Sequence, residues 1–255
     1  MIPLLTLGQP ACAPCGSPED PCRLEGREYL VVPPADPSGP MPLTVLLHGY
    51  GGTPEVLYEH EDLAEVLHAR GWLQVYPEGL DNTWATRGSP EQEERGDADW
   101  LEKVRQAVEA EYNVDPKRRV LGGFSQGASM ADDWSCASPE PWAAIWSVSG
   151  TFWDPIPAEC AGGLPWRHTH GRADQTWPAE GRGFGGVVHQ GDILESAALH
   201  ARMAGCAPEP VTEGDCTVWV DCAVPDVRVC WHEGGPRWPA GEIHDQLDWF
   251  ENLPR

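Results

Sequence analysis

The chain alternates between short, unbroken apolar runs and longer stretches in which apolar positions return every three or four residues. Unbroken runs read as strands buried on both faces, and the spaced stretches as helices that cover them. Strands are predicted over residues 28–32, 43–47, 72–76, 120–124, 143–148, 164–170, 217–220 and 227–231. Helices are predicted from Thr53 to Gly71, from Asp99 to Tyr112, directly after Ser125, and over 192–203 and 244–253. In the first helix Thr53 is the N-cap, Pro54 opens the turn, and Leu57, Leu63, Val66 and Leu67 form the apolar stripe. In the second, Trp100, Val104, Ala107 and Val108 share a face, and Asp115-Pro116 breaks the run. Residues 77–96 read as a long loop centred on Trp84, and the glycine-rich stretch 182–190 as a mobile one. Residues 1–26, rich in Pro, Cys and Gly, read as an N-terminal segment, and 27–255 as one domain. Such alternation builds a mostly parallel sheet flanked by helices, with ligands at the carboxyl ends of its strands.

Composition narrows the function classes. A net charge of −23 argues against nucleic acid and anionic membrane as partners. No apolar run approaches the roughly 20 residues of a membrane span. Nine cysteines suit disulfides in a secreted or periplasmic protein, although residues 1–7 lack the basic start and the length of a signal peptide. Cys12 and Cys15 have zinc-like spacing, but no second pair completes four ligands. No metal or organic cofactor is expected, and the chain is expected to act as a monomer. The odd cysteine count leaves at least one thiol free.

The chemistry concentrates at the ends of the predicted strands. Val120–Met130 reads as strand, Gly-x-Ser-x-Gly turn and first helical turn, with Gly123 and Gly127 flanking Ser125. A serine on such a bend stands exposed above the sheet, at a helix N-terminus whose free N–H groups favour negative charge. That combination supplies a nucleophile and donors for an oxyanion. His48-Gly49-Tyr50-Gly51-Gly52 leaves the 43–47 strand, where the Tyr50 amide would pair with that of Gln126 as the oxyanion hole. His48 reads as structural, because the donors needed there are main-chain groups. Asp174 follows the 164–170 strand, and an acid there suits the chain order serine, acid, histidine. Its task is to orient an imidazole and stabilise its positive form. His168 and His170 share a strand face and read as packing. Trp84, Trp153 and Trp177 leave strand ends, where each either borders the substrate cleft or packs.

Taken in order, these stretches resemble the secreted polyhydroxybutyrate depolymerase and feruloyl esterase-like branch of the α/β-hydrolases. Residues 46–52, 123–127, 149–153, 168–174, and Gly234-Gly235 ahead of Trp238-Pro239 carry the likeness. It implies an α/β-hydrolase fold and a secreted serine esterase acting on small-molecule or polymeric esters: feruloyl or other aryl esters, polyhydroxyalkanoate, or aromatic polyester. It implies Ser125 as nucleophile, Asp174 as acid, and the Tyr50 and Gln126 amides as oxyanion hole. It also suggests cystines Cys15–Cys22, Cys136–Cys160 and Cys206–Cys222; of the three cysteines left over, Cys230, in a buried strand, is the expected free thiol. One departure stands out. The family carries Gly-Gly-His where this chain has Gly234-Gly235-Pro236. Proline has no proton chemistry, so the general base falls to another imidazole, with His232 the first choice and His244 and His189 behind it. The alternative is a hydrolase fold that binds an ester or polymer without cleaving it.

Overall fold

The computed structural model describes residues 15–60, 62–91 and 95–254. The expectations made for residues 1–7 and for Cys12 lie outside that range.

Among the described residues, twelve strands and six α-helices follow in chain order. The first half holds β1 (Cys22–Leu24), β2 (Arg27–Val32), β3 (Met41–Leu47), α1 (Pro54–Tyr58), α2 (Leu63–Ala69), β4 (Leu73–Pro77), α3 (Asp97–Glu111), β5 (Val114–Phe124) and α4 (Gln126–Ala137). The second half holds β6 (Ala144–Val148), β7 (Trp166–Gly171), β8 (Arg182–Phe184), β9 (Val188–Gln190), α5 (Ile193–Met203), β10 (Val211–Glu213), β11 (Cys216–Trp219), β12 (Val227–His232) and α6 (Glu242–Glu251). Ten strands form one sheet in the order β1-β2-β4-β3-β5-β6-β7-β12-β11-β10. The six central strands from β4 to β12 run parallel, and antiparallel ribbons finish both sides. Both margins are three-residue strands, and every residue of β10 is exposed.

Strands β3, β4, β6 and β7 are buried along their whole length, and β3 and β6 are almost wholly apolar, whereas β7 carries Arg167, His168, Thr169 and His170 inside. On β3, Leu43, Val45 and Leu47 join one core with α3, α4 and α5, while Leu46 joins the other with α1, α2 and α6. Tryptophan dominates both cores. Gly122 is required on β5, because a Cβ there would stand 2.0 Å from the Trp146 ring.

Several expectations change. The helix expected from Thr53 to Gly71 is two helices, separated where Asp62 takes left-handed backbone (φ 67°). The stretch expected to be a mobile loop is a β8–β9 hairpin, seated by Phe184 against Trp153 at 5.6 Å. Residues 22–24 pair with β2 as part of the main sheet, and Gly16 accepts from Val31 N–H at 3.0 Å. The N-terminal segment is therefore continuous with the domain from Cys15 onward. Cys15–Cys22, Cys136–Cys160 and Cys206–Cys222 are all bonded. Cys230 is not free: it bonds Cys216, its direct register partner across β11 and β12. Sequence spacing could not show that pairing, because it follows from strand register.

Candidate active site

Register places the chemistry along one edge. Leu47 lies beside Gly123, Phe124 beside Val148, Val148 beside Thr169, and Gly171 beside His232. The loops leaving β3, β5, β6, β7 and β12 therefore meet at the carboxyl side of the sheet.

Ser125 stands between β5 and α4 with φ 53° and ψ −120°, backbone that a side chain rarely adopts. Its N–H donates to Val148 carbonyl at 2.8 Å, which fixes the bend. The glycines around it permit close backbone contact. A Cβ on Gly127 would stand 2.1 Å from Leu47 O, and one on Gly150 2.2 Å from Ser125 O. Across the gap, the Cβ position of Gly49 lies 3.3 Å from Ser125 Cβ, so the β3 loop adjoins the serine. Strain concentrated on the residue that projects from the sheet is the pattern of a nucleophile turn.

The loop carrying Tyr50 is braced from behind. His48 donates from Nδ1 to Gly49 O at 2.9 Å and accepts at Nε2 from Gly79 N–H at 2.9 Å. Both ring nitrogens are thus used, and burial pushes its pKa down to about 4. His48 is a neutral strut, as expected. Trp84 is fully buried and donates from its indole to His48 O at 2.8 Å. Its backbone is gripped by the Gln126 side chain, which accepts from Trp84 N–H at 3.2 Å and donates to Trp84 O at 3.0 Å. Gln126 also donates to Glu91 at 2.7 Å. Its side chain thus points into this brace, and its N–H is free of the helix ladder as the first residue of α4. Tyr50 itself is 69% exposed.

Trp84 is therefore a core brace and not a cleft wall. The same correction applies to Trp177, which is 1% exposed and donates to Gly191 O at 3.0 Å. Trp153, 5% exposed, meets it edge-on at 5.2 Å beneath the β8–β9 hairpin. An indole after a strand end has the same sequence signature whether it is covered or open.

Asp174 closes the turn after β7. Its Oδ1 accepts from Thr176 N–H at 2.8 Å and Trp177 N–H at 2.9 Å. Its Oδ2 is buried without a hydrogen-bond partner. The 234–235 segment lies against this strand end, where Ala173 N–H donates to Gly234 O at 3.1 Å.

The three candidate bases fare differently. His244 lines a shallow groove with Glu65, Val66, Ala69 and Arg70 on the α2 side. His189 pairs with Asp154 at 2.7 Å on the hairpin. His232, at the end of β12, accepts at Nδ1 from Gly234 N–H at 3.0 Å. That bond places its ring proton on Nε2, which is buried and lacks a partner. Desolvation, then Arg237, lowers its pKa, whereas Asp174 opposes the shift. The ring is neutral near pH 7 and lies within the field of Asp174. None of the three hydrogen-bonds Ser125 Oγ among the described residues.

Sequence reasoning missed two buried features near this edge. Asp132, two turns along α4 from Ser125, accepts from Thr151 Oγ1–H and Trp166 Nε1–H, both at 2.8 Å, with His200 3.7 Å away. Ser147, His168 and His170 form a hydrogen-bonded row beneath the Asp174 turn. The available signals were polar residues inside buried strands for the row, and an acid on the buried face of a helix for Asp132.

Comparison with known proteins agrees with this geometry. A family model described as phospholipase/carboxylesterase matches residues 82–183. The putative esterase NocK of Nocardia uniformis subsp. tsuyamanensis is 29% identical over 236 residues, covering 82% of this chain and 68% of that protein. A probable feruloyl esterase C of Aspergillus terreus is 28% identical over 243 residues, covering 89% of this chain and 83% of its own. Among solved structures, an acetyl xylan esterase from Aspergillus awamori superposes with a TM-score of 0.66 at 14% identity, over 88% of this chain and 94% of that one. Sheet order, nucleophile turn and solved structures agree on an α/β-hydrolase fold, and in sequence the chain is similar to carboxylesterases and other esterases.

Proposed function

We propose that the chain hydrolyses carboxylic esters through an acyl-enzyme on Ser125, with His232 and Asp174 handling the proton. The observation that carries this reading is the serine bend, strained at φ 53° and set against the Gly49–Tyr50 loop. Attack by Ser125 Oγ on the ester carbonyl creates an oxyanion, which the Tyr50 and Gln126 amides receive. His232 and Asp174 carry complementary unmet needs: an Nε2–H without an acceptor and an Oδ2 without a donor. A small closure joins them, which leaves His232 Nδ1 as the basic nitrogen. It then exchanges the Gly234 N–H for the serine proton, and returns that proton to the leaving alcohol.

The exposed Tyr50 offers an aromatic surface beside the site, which suits aryl or feruloyl esters and aromatic or aliphatic polyesters. Four cystines support action in a secreted or periplasmic setting.

A second reading has its own observation. Pro236 occupies the place where the resembling family carries histidine, and Gly234 N–H holds His232 Nδ1 at rest. Both favour a protein that binds an ester or polymer without turnover. Hydrolysis of p-nitrophenyl acetate, with fluorophosphonate labelling, separates the two. Turnover and labelling that vanish in Ser125→Ala, with at least about a 100-fold loss in His232→Ala, support the esterase. A wild-type chain that neither turns over nor labels is the binder, and full activity in His232→Ala removes that residue from the mechanism.

A further inference from the structure

Three polar side chains lie in a row within the α4 and α5 side of the sheet. Ser147 and His168 are register partners on β6 and β7, and His170 is two residues further along β7. All three are fully buried. Ser147 Oγ is 2.8 Å from His168 Nδ1, His168 Nε2 is 3.1 Å from His170 Nδ1, and His170 Nε2 is 3.0 Å from Trp177 O. The last contact sets the direction of the whole row. A carbonyl only accepts, so His170 Nε2 carries the proton and its Nδ1 accepts. His168 must then donate from Nε2 and accept at Nδ1, which makes the Ser147 hydroxyl the first donor. Every ring nitrogen is satisfied with both imidazoles neutral. The rings are held in place by stacking: Trp166 on His168 at 5.3 Å and 8°, His168 on His170 at 5.3 Å, and Trp231 edge-on to His170 at 5.8 Å.

The row ends on the turn that presents the catalytic acid. Trp177 donates its N–H to Asp174 Oδ1 and receives the His170 proton on its carbonyl. Its indole is anchored in turn to Gly191 O. Asp174 therefore has one oxygen fixed by two amides of a turn whose far end is tied to the sheet interior. We propose that His170, oriented by His168 and Ser147, is a positioning residue for ester hydrolysis: it closes the Asp174–Trp177 turn so that Oδ2 is held toward the proton-handling imidazole. The idea rests on the reading of Asp174 as the acid, but its structural half can be tested without turnover.

The test compares wild type with His170→Phe and His170→Gln. Phenylalanine keeps the stacking but removes the donor to Trp177, whereas the glutamine amide restores it. Two readouts are taken: hydrogen exchange at the Thr176 and Trp177 amides, and kcat against KM for p-nitrophenyl acetate. In His170→Phe, exchange at both amides is expected to rise about tenfold or more, and kcat to fall about tenfold with KM changed less than about twofold. His170→Gln is expected to recover both. Wild-type exchange and kcat in His170→Phe, or no recovery in His170→Gln, overturn the proposal. If His170→Phe does not fold, His168→Phe, which removes the donor to His170 Nδ1, carries the same test with the same expected direction. A wild-type chain without turnover overturns the esterase reading, and amide exchange alone then decides the positioning.

Discussion

At the scale of single residues, the proposed site joins a strained serine bend to an acid turn, with Pro236 where the resembling family carries histidine. The serine bend and the Asp174 turn were legible in the sequence because each sits on a short motif with its own steric demand. Gly123 and Gly127 must flank a bend this tight, and the Asp174 turn must follow a strand end. The base was not legible, since its identity depends on how residues 232–236 fold back over the acid. Whether Trp84, Trp153 and Trp177 line the cleft or pack stayed open for a related reason: burial of a loop indole depends on what other loops do above it. One substitution separates the possible histidines. Pro236→His is expected to raise kcat/KM on p-nitrophenyl acetate by about tenfold or more, through an imidazole that makes turnover independent of His232. Measured in the Pro236→His and Pro236→His/His232→Ala pair, equal rates support that view. A rate no higher than wild type in both would remove residue 236 as a site for the base.

At the scale of elements, close backbone approach sets the tolerances. The first turn of α4 rests on the end of β3 with no room for a methyl group at Gly127. Gly127→Ala is expected to destabilise the fold by about 3 kcal/mol or more, read as a lowered urea midpoint at unchanged slope. A midpoint within error of wild type would mean that the β3–α4 contact is looser than described. Strands such as β3 and β6 were readable because burial on both faces makes them almost continuously apolar. The edge ribbons were less so: β1 and β10 are three residues long and carry too little pattern to identify. The hairpin of β8 and β9 hid behind its glycines, because its stability comes from Phe184 resting on Trp153, a contact between distant stretches of chain. The split between α1 and α2 hid because nothing in an apolar stripe announces the left-handed Asp62.

At the scale of the whole molecule, buried imidazoles couple stability to pH. Burial pushes His48 down to about 4, His200 down to about 3, and His168 well below its ordinary value. Asp132 moves the other way, up to about 7, again mainly through burial. Below about pH 6.5 the unfolded chain binds protons on three imidazoles that the folded chain refuses, which lowers stability as pH falls. Over the same interval folded Asp132 keeps a proton that its unfolded form releases, which offsets one of the three. The buried imidazoles outweigh Asp132, so stability falls as pH drops through about 6.5 toward 5. Urea unfolding across that interval checks the sign, and stability that rises on acidification would refute it. Fold class was visible at this scale from strand order alone, whereas the Cys216–Cys230 bond was not, because it depends on which strands become neighbours.

The two margins of the sheet have a consequence for life in crowded solution. An arriving chain that tried to extend the sheet would find a rung or two of ladder on either side before running out of backbone to grip. With like charge on every approaching copy, such zippering has little to hold it. A broad and very apolar interior is thus kept from becoming the seed of a fibre.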